Sequence, residues 1–122
     1  MLILHKIYNS IMIKTYQQID CPIASTAKII GDLWTILIIR ELIKEPKRFN
    51  QLQLSVSDSD LKSKISTKTL TQRLKFLEQE RIIEKKDISN HSEYCLTSKG
   101  NELISIVQMI KIFGEKHLST IN

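Results

Sequence analysis

Apolar residues along this chain repeat with a helical period in most places and with a strand period in one. The run Leu33-Trp34-Thr35-Ile36-Leu37-Ile38-Ile39-Arg40-Glu41-Leu42-Ile43 is apolar on nearly every side. Such a helix is buried on most faces, which makes residues 33–44 the predicted core element. A buried strand is the competing reading, but the length of the run favours helix. Asp32 is placed to cap it and Pro46 to end it. Upstream, Pro22 opens a short helix over residues 24–30, which Gly31-Asp32 interrupts. Downstream, residues 49–55 form another short helix, followed by the polar loop Ser57-Asp58-Ser59-Asp60.

Residues 66–80 carry the clearest amphipathic pattern. Ser66 can cap the first amides, and Ile65 can pack on Leu70 as a hydrophobic staple. Leu70, Leu74 and Leu77, widened by Phe76, form an apolar side. Lys68, Thr71, Gln72 and Lys75 recur at helical spacing on the opposite side, which holds long cationic or hydrogen-bonding groups and no acid. The period then changes. Residues 82–86 and 93–96 alternate as short strands around the turn-forming stretch Asp87-Ile88-Ser89-Asn90-His91-Ser92, which predicts a hairpin. Thr97 caps a final helix over residues 98–117. Its apolar set (Leu103, Ile106, Val107, Ile110, Ile112, Phe113) exceeds what one side of a domain needs, so a second helix is expected against it.

The predicted fold is mainly α with a small β-hairpin, in the order helix, helix, helix, hairpin, helix. With the hairpin as a wing, that order fits a winged helix-turn-helix with extra N- and C-terminal helices. The divisions are an N-terminal helical arm over 1–20, a central domain over 21–97 and a C-terminal helix over 98–122. Residues 1–13 are apolar but interrupted by His5, Lys6, Asn9 and Ser10. They lack a signal-peptide cleavage pattern and are too short to span a bilayer, so no membrane partner is expected. A helix with Leu4, Ile7 and Ile11 on one side fits better, and Met12 is an alternative start.

A chain of 122 residues makes one domain with a modest core. Its formal net charge of +5 says little by itself. The placement says more, because residues 40–75 hold nine Lys or Arg against four Asp or Glu. Clustered positive charge attracts phosphate; a solvated Lys-rich surface is the alternative. Two cysteines, Cys21 and Cys95, form neither a disulfide framework nor a zinc motif, which points to the reducing cytoplasm.

A helix fits the major groove of duplex DNA. There Lys reaches guanine acceptors or phosphate, Gln makes a two-point contact with adenine, and Thr offers a hydroxyl or a methyl. Lys68, Thr71, Gln72 and Lys75 are therefore the candidate readers, and Ser66, Thr67 and Arg73 are counted with them. The hairpin is the candidate wing, with Lys85, Lys86, Asn90 and His91 towards phosphate or the minor groove. Lys47 and Arg48 are candidate phosphate clamps, with a surface pair to Glu45 as the alternative. His5, His91 and His117 lie on different elements. Three glycines leave no phosphate-binding loop, and Glu78 and Glu80 fall at the end of a surface helix. No enzyme, cofactor or metal site is expected.

The stretches Cys21-Pro22, Ile30-Gly31-Asp32-Leu33-Trp34-Thr35 and Lys47-Arg48-Phe49-Asn50-Gln51-Leu52 resemble the HxlR family of regulators, which is related to the MarR group. So do Ile65-Ser66-Thr67-Lys68-Thr69-Leu70-Thr71-Gln72-Arg73-Leu74 and Glu93-Tyr94-Cys95-Leu96-Thr97-Ser98-Lys99-Gly100. The chain departs from the usual pattern at Asp32-Leu33, in a longer loop over 55–64, and in a wing without prolines. The resemblance implies a homodimer, joined through its terminal helices, that binds a palindromic duplex operator as a regulator, typically a repressor. It also implies a small-molecule or oxidant effector acting through Cys21, for which a small buried side chain is the plain alternative. A winged-helix module that binds protein instead of DNA is the other functional reading.

Overall fold

The computed structural model describes residues 21–57 and 64–118. The helix expected within residues 1–13 lies outside them, as does most of the polar loop after Ser57. The chain divides into two units, Met1–Asp32 and Leu33–Asn122. In the first, Pro22 itself opens helix α1 (Pro22–Ile30), because the amide it lacks would have no partner in a first turn. Cys21 holds the N-cap in extended backbone, and its side chain makes no capping hydrogen bond.

The second unit contains α2 (Leu33–Lys44), α3 (Phe49–Ser57), α4 (Thr67–Gln79), β1 (Ile83–Ile88), β2 (His91–Leu96), α5 (Ser98–Asn101) and α6 (Ile104–His117). Helix α2 is the hub: it packs on α3, α4, β2 and α6. It buries Thr35, Ile38, Ile39, Glu41 and Leu42. Leu52 and Val56 of α3, and Leu70, Leu74 and Leu77 of α4, close the core around it. Each such aliphatic side chain contributes about 1.5–3 kcal/mol through lost water contact. Ile65 and Leu70, the pair expected to staple the start of α4, are both buried. The cap is present: Ser66 Oγ accepts from the Thr69 amide at 3.1 Å.

A buried carboxylate stands in this core. Glu41 is 3% exposed. Its side chain accepts from Arg40 Nε at 2.9 Å and from Lys44 Nζ at 3.0 Å. Burial alone would push this carboxyl up. The bonds from Lys44 and Arg40 and the attraction of their charges outweigh it and hold Glu41 below the usual carboxylate range.

Two elements differ from the sequence reading. The hairpin is longer, pairing antiparallel from Ile83 with Leu96 out to Ile88 with His91. Its turn is only Ser89-Asn90, not the six residues 87–92, and Ser89 takes φ 54°. Residues counted as turn formers are recruited because Ser92 Oγ donates across the ladder to the Asp87 carboxylate. The last helix is broken. Glu102 and Leu103 turn their amides to the carbonyls three residues back, Lys99 at 3.2 Å and Gly100 at 3.0 Å. That tighter turn buries Leu103 and separates α5 from α6.

Candidate nucleic-acid interface

Helix α4 presents two chemically distinct faces. Leu70, Leu74 and Leu77 are buried against the body. Thr67, Lys68, Thr71, Gln72, Lys75 and Gln79 are all exposed. No acid stands among them, so the exposed face is wholly cationic or hydrogen-bonding. Two of the expected readers have other engagements. Ser66 Oγ serves as the cap, and Thr67 Oγ1 accepts from Gln53 Nε2 at 3.1 Å. The same amide lies 3.3 Å from the Ile65 carbonyl, so Gln53 of α3 fastens the entry to α4. Arg73 is half-buried and already engaged in an interaction.

The wing runs directly on from α4. Lys85 is exposed and stands 5.8 Å from the centre of the Tyr94 ring. Lys86 is exposed and paired with Glu84 at 3.5 Å. Asn90 is exposed in the turn, and His91 Nε2 lies 3.4 Å from Glu93 Oε2. Exposed pairs of this kind are weak, so Lys85 and Lys86 keep their charge available to phosphate. Cys95 is opposite Glu84 on the ladder, with Sγ 3.8 Å from Oε1. Burial first, and then the neighbouring acids Glu84 and Glu93, push its thiol up despite Lys86 nearby. The thiol form of Cys95 is thereby favoured over the thiolate.

Lys47 does not stand where a phosphate clamp would. It is 8% exposed, and its ammonium donates to the Glu41 carbonyl at 3.1 Å. Its backbone exchanges two hydrogen bonds with Tyr94, at 3.0 and 2.8 Å, and adds a one-residue third strand to the wing. The reason is local. Four carbonyls at the end of α2 lack helical partners, and a lysine just beyond Pro46 satisfies one of them. Arg48 remains exposed; its amide donates to Gln51 Oε1 at 2.9 Å, half of a capping box at the start of α3.

Sequence reasoning assigned no role to Gln53 or Lys99, and gave Thr97 only the cap of the last helix, which it provides by accepting from the Gly100 amide at 3.0 Å. The other partners of Thr97, and the partner of Lys99, are far away in sequence. Among the described residues no group of His, Cys, Asp and Glu side chains could hold a metal ion. No single helix among them is long and apolar enough to cross a membrane.

Helices α2 to α4 followed by the β1–β2 hairpin define a winged helix-turn-helix protein. Residues 29–122 match the model of the HxlR-like helix-turn-helix family, and the chain belongs to that family. It is 38% identical over 101 residues to the HTH-type transcriptional regulator sll1512 of Synechocystis, covering 80% of this chain and 70% of that one. It is 32% identical over 100 residues to the HTH-type regulator YodB of Bacillus subtilis, covering 79% and 84% respectively. The solved reduced form of YodB superposes with a TM-score of 0.69 at 30% identity, covering 85% of this chain and all (100%) of that one. The quinone-bound form gives 0.66 at 33% identity, covering 79% and 98%. The family and these relatives are transcriptional regulators, not enzymes.

Proposed function

We propose that the protein acts as a homodimer on a palindromic duplex operator, with α4 in the major groove and the β1–β2 wing on the flanking backbone. The observation that carries this reading is the exposed face of α4, where Lys68, Thr71, Gln72 and Lys75 stand clear of the body and no acid interrupts them. Arg48, Lys85, Lys86, Asn90 and His91 supply the backbone contacts. Lys47 is left out because its ammonium is used internally.

Fluorescence anisotropy on duplexes selected by the purified protein tests this. Gln72→Ala will lose about 1–3 kcal/mol on the selected duplex and relax the preference at one base pair. Lys86→Ala will weaken selected and scrambled duplexes alike and make the salt slope shallower by about 0.9. If both variants bind as wild type does, α4 is not the reading helix.

One observation favours a further layer. YodB has been solved in a quinone-bound form, and here Cys21 is a free, half-buried cysteine at the N-cap of α1 with no capping bond. Electrophiles are proposed to add to this thiol and lower operator affinity. Wild type treated with a quinone will release DNA, whereas Cys21→Ser will not; equal release by both removes Cys21 from the response.

A further inference from the structure

The joint between α4 and the wing is Glu80-Arg81-Ile82, and its backbone is unusual. Arg81 takes φ 59°, a left-handed conformation that is strained for a residue carrying a side chain. The Arg81 amide donates to the Glu78 carbonyl at 3.0 Å and the Ile82 amide to the Leu77 carbonyl at 2.9 Å, which together close α4. The joint's own carbonyls point elsewhere, and each ends on residues 97–100. Lys99 Nζ donates to the Glu80 carbonyl at 2.7 Å. Thr97 Oγ1 donates to the Arg81 carbonyl at 2.6 Å and lies 3.2 Å from that of Ile82. The Thr97 amide donates to the Ile82 carbonyl at 3.0 Å. Thr97 Oγ1 in turn accepts from the Gly100 amide at 3.0 Å, and Gly100 itself rests against the Ile82 carbonyl.

We propose that residues 97–100 are a clamp that sets the angle between α4 and the wing. Lys99 is its positioning residue for sequence-specific DNA binding and does not touch DNA. The inference rests on the DNA-reading role proposed above. Helix and wing must meet groove and backbone together. A loose joint leaves only a fraction of molecules in the competent geometry, and apparent affinity falls by that fraction. Lys99 suits the task. Its ammonium meets the carbonyl end of α4, where a cation is favoured, and a charge-assisted bond is the strongest of the set. The other members, Thr97 and Gly100, also cap α5 and seat its backbone on the joint, so Lys99 is the place where positioning separates from stability.

The test uses the full chain, a duplex that wild type selects from a random library, and a scrambled duplex of the same composition. Lys99→Met will bind the selected duplex roughly tenfold more weakly. Its affinity for the scrambled duplex and its salt slope will match wild type. Lys99→Arg will restore selectivity, since a guanidinium can also donate to the Glu80 carbonyl. Equal losses on both duplexes, with a slope shallower by about 0.9, would make Lys99 a phosphate contact and overturn the clamp. Undiminished selectivity in Lys99→Met overturns it as well. A wild-type protein that selects no duplex sinks the DNA-reading role, and the clamp with it, which is a different result from a selective wild type and an equally selective variant.

Discussion

Gly100→Ala is expected to destabilise the protein by about 3 kcal/mol or more, the upper range for forcing an atom into a packed site. A Cβ at this position would fall inside contact distance of the Ile82 carbonyl oxygen, and would lie 3.1 Å from both the Ile82 carbonyl carbon and Leu96 Cδ2. The nearest obstacle is backbone, fixed by the Thr97 amide and hydroxyl, so no side chain can swing aside. Relief requires α5 to lift off the start of β1, which breaks the bonds that close the helix–wing joint. Gly114 is the internal control. A Cβ there meets nothing within 4 Å, and Gly114 lies within α6. Gly114→Ala should therefore stabilise by up to about 1 kcal/mol through lower backbone entropy in the unfolded chain. Thermal melts check both: a fall of at least about 10 °C for Gly100→Ala and a small rise for Gly114→Ala. A Gly100→Ala melt indistinguishable from wild type would show that α5 does not pack backbone to backbone on the wing.

The contrast between these glycines shows what a one-dimensional pattern carries. The spacing of Leu70, Leu74 and Leu77 fixes the buried side of α4 because burial on a helix repeats every three to four residues. The opposite face, with Lys68, Thr71, Gln72 and Lys75, follows by geometry. The cap at Ser66 is also local, and it was legible. The ends of the hairpin were not. Asp87 and Ser92 have turn chemistry when each is taken alone, and they become strand residues only by bonding to each other across the ladder. Lys47 followed the same course. A lysine beside Arg48 has the look of surface charge until the end of α2, with its unsatisfied Glu41 carbonyl, arrives beside it. The break between α5 and α6 was hidden because Leu103 fits a continuous helical stripe, and the tighter turn that buries it leaves no mark in the period. The Lys99 bond to Glu80 spans 19 positions, so no window short enough to show periodicity contains it.

The largest functional effect should come from a helix that carries none of the residues proposed to read DNA. Along α6, Met109 (63%), Ile110 (45%), Ile112 (49%) and Phe113 (57%) are exposed, and Leu118 follows just beyond at 67%. Ile106, Met109, Ile110 and Phe113 fall at spacings of three and four and make one stripe. Monomeric proteins rarely leave such a contiguous apolar patch in water. A two-fold axis through this stripe would cover it with its own copy, since the same patch on both subunits is self-complementary. The dimer would then place two α4 helices on half-sites about one helical turn apart. On that basis the double variant Ile110→Glu/Phe113→Glu sets like charges opposite one another across the interface and dissociates the dimer. Neither side chain belongs to the buried core, so the fold should survive in circular dichroism. Operator affinity will fall by about 10²–10⁴, the advantage that one bound half-site gives its tethered neighbour. Binding to a single half-site will change little, because α4 and the wing are untouched. Sedimentation velocity and anisotropy on one- and two-half-site duplexes read both quantities. A wild-type protein that sediments as a monomer, or a variant that remains dimeric with operator affinity intact, would move the subunit contact away from α6.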